Sequence, residues 1–180
     1  KPLTELVTIL TKKLNDEDVT FASNDRLRLH QQNRYYIHHL LARITDSLET
    51  SSGMPSRFTE YIAEGKNRYE IEHIWADHPE RHTDEFTHAS DFAEYRNRIG
   101  GLLLLPKSFN GSYGDLIYTD KLPHYFGQNL LAKSLHPDCY SHNPGFIRFK
   151  DDNAMPFKAH TAFKKHDLDD KELEKLVQEI

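Results

Sequence analysis

No stretch of the chain constrains its fold more than Tyr69-Glu70-Ile71-Glu72-His73-Ile74-Trp75. Tyr69, Ile71, His73 and Trp75 fall on one side and Glu70, Glu72 and Ile74 on the other, which is strand periodicity carried by aromatic and β-branched residues. A second constraint lies downstream, where four leucines, Leu102 to Leu105, are bounded by Gly101 and Pro106. Four residues are too few for a helix, so this run predicts a buried strand. The connection between the two, about 25 residues, is too long for a plain hairpin loop. Its first part, Asp77 to His88, is polar and rich in histidine. Its second part, Ala89 to Arg98, predicts a helix capped by Ser90 or Asp91, with Phe92 and Tyr95 turned inward.

A histidine at the end of one strand, followed after a second strand by an asparagine, suits metal-assisted phosphodiester hydrolysis. That reaction needs a base to deprotonate water and a cation to neutralise charge on the phosphate and the leaving oxygen. His73 can be the base, because an unperturbed imidazole titrates near working pH. Glu72 and Asn110 offer oxygen ligands, which suit one hard cation such as Mg²⁺ or Mn²⁺. Glu72 and His73 are adjacent, and on a regular strand they face opposite ways. Both serve one site only if the strand ends or bulges there.

Glu72-His73-Ile74, then Asn97-x-Ile99-Gly100-x-Leu102-x-Leu104, then Asn110, resembles the motif of HNH (ββα-metal, His-Me finger) endonucleases. The likeness is nearest to the C-terminal nuclease domain of GmrSD-type modification-dependent restriction enzymes and related phage-defence proteins, and Lys121-x-x-x-Tyr125 fits that domain's pattern too. It covers Tyr69 to about Leu135. The resemblance implies His73 as general base, Glu72 and Asn110 as metal ligands, Asn97 as the residue orienting the base, and DNA as substrate. It also implies a fused or associated N-terminal recognition domain outside this chain. Two departures stand out. The family's proline follows its histidine closely, whereas here it waits until Pro79. The family's Gly-Asn-Leu is Gly100-Gly101-Leu102, one polar side chain short.

The implied fold class is α+β, a mostly helical domain around a ββα-metal hairpin-helix core. Residues 1–68 form a helical N-terminal lobe, 69–135 the nuclease core, and 136–180 a C-terminal segment with a helix packing on that core. All three fit one structural domain, as 180 residues allow. The chain begins with Lys1 rather than Met, so it is expected to be a fragment of something longer. Its net charge of −5 argues against a protein that coats DNA non-specifically. Locally the balance reverses. From Tyr95 to Ser134 the cations Arg96, Arg98, Lys107, Lys121 and Lys133 oppose only Asp115 and Asp120, a net of +3, and these five are the candidate phosphate contacts. No run approaches ~18 apolar residues, so no membrane span is expected. One cysteine, Cys139, excludes internal disulfides and agrees with a reducing, cytoplasmic setting. His78, His82, His88, Cys139 and His142 match no zinc-finger spacing, so a structural zinc is not expected.

Elsewhere, Leu3, Leu6, Val7, Leu10 and Leu14 predict an opening amphipathic helix, and Ile37, Leu41, Ile44 and Leu48 a second from about Gln32 to Glu49. Ser56 can cap a short helix carrying Phe58, Tyr61 and Ile62. Val19-Thr20-Phe21 reads as a short β-like run, Lys107 to Asp115 as a loop or ragged turn, Pro123 to Leu135 as a helix, and Phe146 to Phe149 as a strand. Tyr113, Tyr118 and Tyr125 read as core or rim aromatics. Asp169 with Glu172 forms a capping box for a final helix whose buried face is Leu173, Leu176, Val177 and Ile180. The rival to an endonuclease is a catalytically inactive DNA- or protein-binding module that keeps the fold. A third reading is a purely structural helical domain, supported if His73 and Asn110 lie far apart.

Overall fold

The two expected strands form and pair with each other. In the computed structural model, which describes residues 2–15 and 27–169, β1 (Tyr69–His73) runs antiparallel to β2 (Leu102–Pro106). The register matches Tyr69 with Pro106, Ile71 with Leu104, and His73 with Leu102. Side chains alternate across the pair, and each face meets a different layer. Ile71, Leu102 and Leu104 pack with Ile37, Leu41 and Tyr61. Leu103 and Leu105 pack with Trp75, Phe92, Phe109, Leu122 and Tyr125. A two-stranded ribbon is unstable alone in water. Covering it on both faces is what lets four consecutive leucines be buried, at about 1.5–3 kcal/mol each.

The first layer is α2 (Arg34–Ser51), entered through a 3₁₀ turn at Gln31–Asn33, with the short α3 (Phe58–Tyr61) beside it. Ile37, Leu41, Ile44 and Leu48 are buried as their spacing demands. Ser56 does not cap α3. Its hydroxyl donates to Asp46 instead, and Arg57 holds the cap position. Ahead of this layer, α1 (Pro2–Asn15) forms as expected, with Leu6, Val7 and Ile9 exposed.

The second layer departs from expectation in instructive ways. α4 (Ala89–Arg96) stops at Asn97, and His88 rather than Ser90 or Asp91 sits at its start. Lys107 to Tyr113 is a helix, α5, despite Gly111, because Phe109 anchors it against the β-ribbon. It supplies the α of a β-β-α order. The single helix expected from Pro123 to Leu135 is two, α6 (Tyr118–Tyr125) and α7 (Leu130–Lys133). Asn129 makes the break. Its Oδ1 accepts from the Ala132 N–H as an N-cap, while its Nδ2 donates to the Leu104 carbonyl. Cys139–His142 is a short turn of helix, α8. Phe146 to Phe149 is not a strand but part of α9 (Pro144–Asp152), begun by a proline in the first turn, with Phe146 buried. Lys165–Asp169 forms α10. The Val19-Thr20-Phe21 run and the capping box reaching Glu172, with the leucines after it, lie outside the described residues. Among those described, no helix is long and apolar enough to cross a membrane.

Candidate active site

His73 closes β1, and one bond sets its chemistry. Its Nε2 lies 2.9 Å from Oδ1 of Asn97, the residue that ends α4. The other end of that amide donates from Nδ2 to the Ala93 carbonyl at 2.7 Å, which fixes which atom faces the ring. An oxygen facing Nε2 needs a hydrogen there, so the tautomer is Nε2–H and the Nδ1 lone pair is left to take a proton. Burial and the charge of Arg96 push the imidazole down to about 4, against the pull of Asn97, with smaller pushes from Lys121 and Arg34. At neutral pH the ring is therefore uncharged, the state a general base requires.

The strand stays paired through His73, so Glu72 turns to the other face. There it meets Lys121 of α6. The ammonium donates to Glu72 Oε1 at 2.6 Å and to the His73 carbonyl at 2.9 Å. Burial pushes the carboxyl up and the ammonium down, and each partner opposes the other's shift. Arg96, its Nε on the Trp75 carbonyl at 2.9 Å, stands close enough to bias Glu72, His73 and Lys121 together. Asn110 reaches the same strand from α5, its Nδ2 3.4 Å from the Ile71 carbonyl. Its Oδ1 is buried without a hydrogen-bond partner, as is the hydroxyl of Tyr125, which feels the charge of Glu72. Buried polar atoms are rarely left unsatisfied, so each of these two positions stands out.

β1 thus carries His73 with Asn97 on one side and Glu72 with Lys121 on the other, while Asn110 bonds the strand's backbone at Ile71. The strand shows no bulge at Glu72, so the condition for Glu72 and His73 to serve one site is not met by its pairing. The oxygen-only set of Glu72 and Asn110 fits a hard cation, and the partnerless Oδ1 of Asn110 is what such a ligand looks like when unengaged. Lys121 competes, since it already holds one oxygen of Glu72. Among the described residues, no three His, Cys, Asp or Glu side chains gather as a metal-binding group. His78 bonds Glu80 and Asp115, and Cys139 is buried elsewhere.

The five candidate phosphate contacts scatter. Arg96 and Arg98 flank Asn97, with the Arg98 guanidinium 3.7 Å above the Tyr95 ring. Lys107 is exposed at the start of α5. Lys133, at the end of α7, lies over the Phe126 ring. Lys121 corrects the expectation of a surface cation, being fully buried. The sequence did carry the signal for this. Tyr118, Lys121, Leu122 and Tyr125 repeat at helical spacing and are all buried. A lysine within a buried stripe calls for a buried carboxylate. Arg34, which is exposed yet biases His73, carried no motif that singled it out.

A family model described as the C-terminal domain of GmrSD restriction endonucleases matches residues 8–153. Among curated proteins and among solved structures, nothing matches the chain.

Proposed function

Because the chain belongs to the family of GmrSD restriction endonuclease C-terminal domains, we propose that it is a metal-dependent DNA endonuclease of the HNH type, nicking or cleaving at His73. The observation that carries this reading is the geometry at the end of β1, with His73 Nε2 2.9 Å from Asn97 Oδ1 and Nδ1 left without a hydrogen-bond partner among the described residues. In the proposed reaction Nδ1 takes a proton from water, and the resulting hydroxide attacks the scissile phosphate. Asn97 holds the ring and stabilises the imidazolium as it forms, since a carbonyl oxygen accepts better from a charged N–H. Asn110 would hold one Mg²⁺ or Mn²⁺, joined by Glu72 only if that carboxylate leaves Lys121 and the strand bulges to bring it round to the face of His73. Bound there, that ion supplies charge neutralisation at the phosphate and at the departing 3′-oxygen. Arg96 and Arg98, on either side of Asn97, would orient the strand through its phosphates, and Lys107 would add a further contact. The setting implied by the family is restriction or phage defence, with DNA delivered by a recognition domain outside this chain.

One observation favours the rival binding module. Lys121 neutralises Glu72, so the carboxylate must exchange a resident ammonium for a metal ion. Plasmid nicking with Mg²⁺, with Mn²⁺ and with EDTA separates the two readings. Nicking is expected with either metal and lost in EDTA. His73→Ala should slow it by ~10²–10⁴ while leaving DNA binding intact, the usual loss of a general base. Nicking by that variant at the wild-type rate removes the proposal.

A further inference from the structure

The stretch from Leu27 to Thr45 contains no aspartate or glutamate, but three arginines (28, 34, 43) and three histidines (30, 38, 39), in a chain whose net charge is −5. It is also tied to the site. The Leu29 N–H donates to the Asn97 carbonyl at 2.7 Å, the Ile99 N–H donates to the Leu27 carbonyl at 3.2 Å, and Arg28 bridges antiparallel to Arg98. The residue that clamps His73 is therefore bonded, through its own backbone, to the lead-in of α2.

At the head of α2 stand three largely exposed side chains. Arg34 is exposed and makes no ion pair among the described residues. Tyr35 is 78% and Tyr36 53% exposed, two of the largest apolar surfaces left in water. The Tyr35 ring leans on His39 at 4.1 Å, His39 meets His38 at 5.8 Å, and His38 Nε2 lies 3.1 Å from the Tyr69 carbonyl of β1. A line of rings thus runs from solvent to the strand that ends in His73. The neighbouring arginines are engaged, Arg28 with Glu94 and Arg43 over Phe58. That leaves Arg34 for an outside anion.

A guanidinium without an ion pair among the described residues, beside two exposed tyrosine rings on a stretch that carries no acid of its own, is complementary to phosphate and to base faces together. In an intact duplex those faces are stacked inside and out of reach. We propose that the head of α2, with Arg34, Tyr35 and Tyr36, docks an unpaired stretch of DNA strand next to the phosphate presented to His73. The substrate class is then single-stranded or locally opened DNA. This rests on the hydrolase reading above for the meaning of the adjacent site, and its test is built to fail separately.

Binding is measured by fluorescence anisotropy in the His73→Ala background, with single-stranded, duplex and bubble-containing oligonucleotides of equal length. Single-stranded and bubble DNA should bind more tightly than duplex. Tyr35→Ala with Tyr36→Ala should weaken that binding roughly 10- to 100-fold, the range for losing a stacked base, and change duplex binding little. Arg34→Gln should lower the slope of log affinity against log salt by about 1. Both tyrosines are exposed, and circular dichroism confirms that the variants are folded. Preference for duplex, or single-strand affinity unmoved by the double variant, overturns the proposal. Wild-type plasmid nicking is scored in parallel. Stacking-dependent binding without nicking keeps this surface and removes the hydrolase, and nicking with binding unmoved does the reverse.

Discussion

Glu49 and Glu72 are both buried carboxylates, and they are held in opposite ways. Glu49, near the end of α2, accepts from the Tyr61 hydroxyl at 2.7 Å and from the Leu130 N–H at 3.1 Å. Its nearest cation, Arg57, stands at 3.8 Å and is engaged with Glu60 and Tyr69. Neutral donors from α3 and α7 thus brace one carboxylate, although one turn further on the buried Ser52 Oγ has no hydrogen-bond partner among the described residues. Glu72 depends instead mainly on full charges, the Lys121 ammonium first and Arg96 after it, with the His73 backbone N–H as a further donor, and the Tyr125 hydroxyl that feels its charge has no partner among the described residues. A charge satisfied by fixed dipoles serves as a joint. A charge satisfied mainly by buried counter-ions, beside an unbonded hydroxyl, has a partner it can exchange for another. That contrast separates the brace from the candidate metal ligand more sharply than burial does.

Neutralising each glutamate in turn is the strongest way to break the comparison. Glu72→Gln strands a buried ammonium, and removing one partner of a buried pair costs about 3–5 kcal/mol. Adding Lys121→Met should recover most of this, since replacing both partners with a well-packed apolar group is close to neutral. Glu49→Gln keeps one acceptor and misplaces one, costing about 1–3 kcal/mol, and no second substitution should rescue it. Urea unfolding of the four variants reads all of this. If the Lys121→Met addition fails to rescue Glu72→Gln, the two glutamates are joints of one kind. Nicking sharpens the point: the rescued pair variant should fold yet remain inactive if Glu72 serves the reaction.

The two glutamates also differ in how legible they were. The alternation around Glu72 predicts β1, and the leucine run predicts β2, because period and length are local properties of sequence. Glu49 stands at the end of a recognisable helix, but its partners come from residues 61 and 130, and no local pattern announces a bond of that span. The same limit explains α5 and α9. Glycine in one and Phe-Ile-Arg-Phe in the other read as loop and strand. Phe109 and Phe146 hold them as helices by packing that only the fold supplies. At the site, His73 with Asn97 follows the motif. Lys121 alone reads as a surface cation, and only the buried stripe of Tyr118, Leu122 and Tyr125 around it says otherwise.

The smallest effect tests the unfilled capacity itself. The Tyr125 hydroxyl is buried without a partner, and burial, with the charge of Glu72, holds its pKa far above the usual tyrosine value, so it stays protonated. A buried hydroxyl with nothing to bond weakens the fold rather than supporting it. Tyr125→Phe retains the ring that stacks on Phe109 at 5.4 Å, and should leave stability unchanged or raise it by up to about 1 kcal/mol. Tyr61→Phe is the matched control at Glu49. There the hydroxyl is bonded, and its loss should cost about 1 kcal/mol or more. Opposite signs in urea midpoints would show that the Tyr125 hydroxyl near Glu72 is unsatisfied where the Tyr61 hydroxyl on Glu49 is bonded. Equal losses would mean that the Tyr125 hydroxyl has a partner inside the resting protein, and the distinction between brace and exchangeable ligand would go with it.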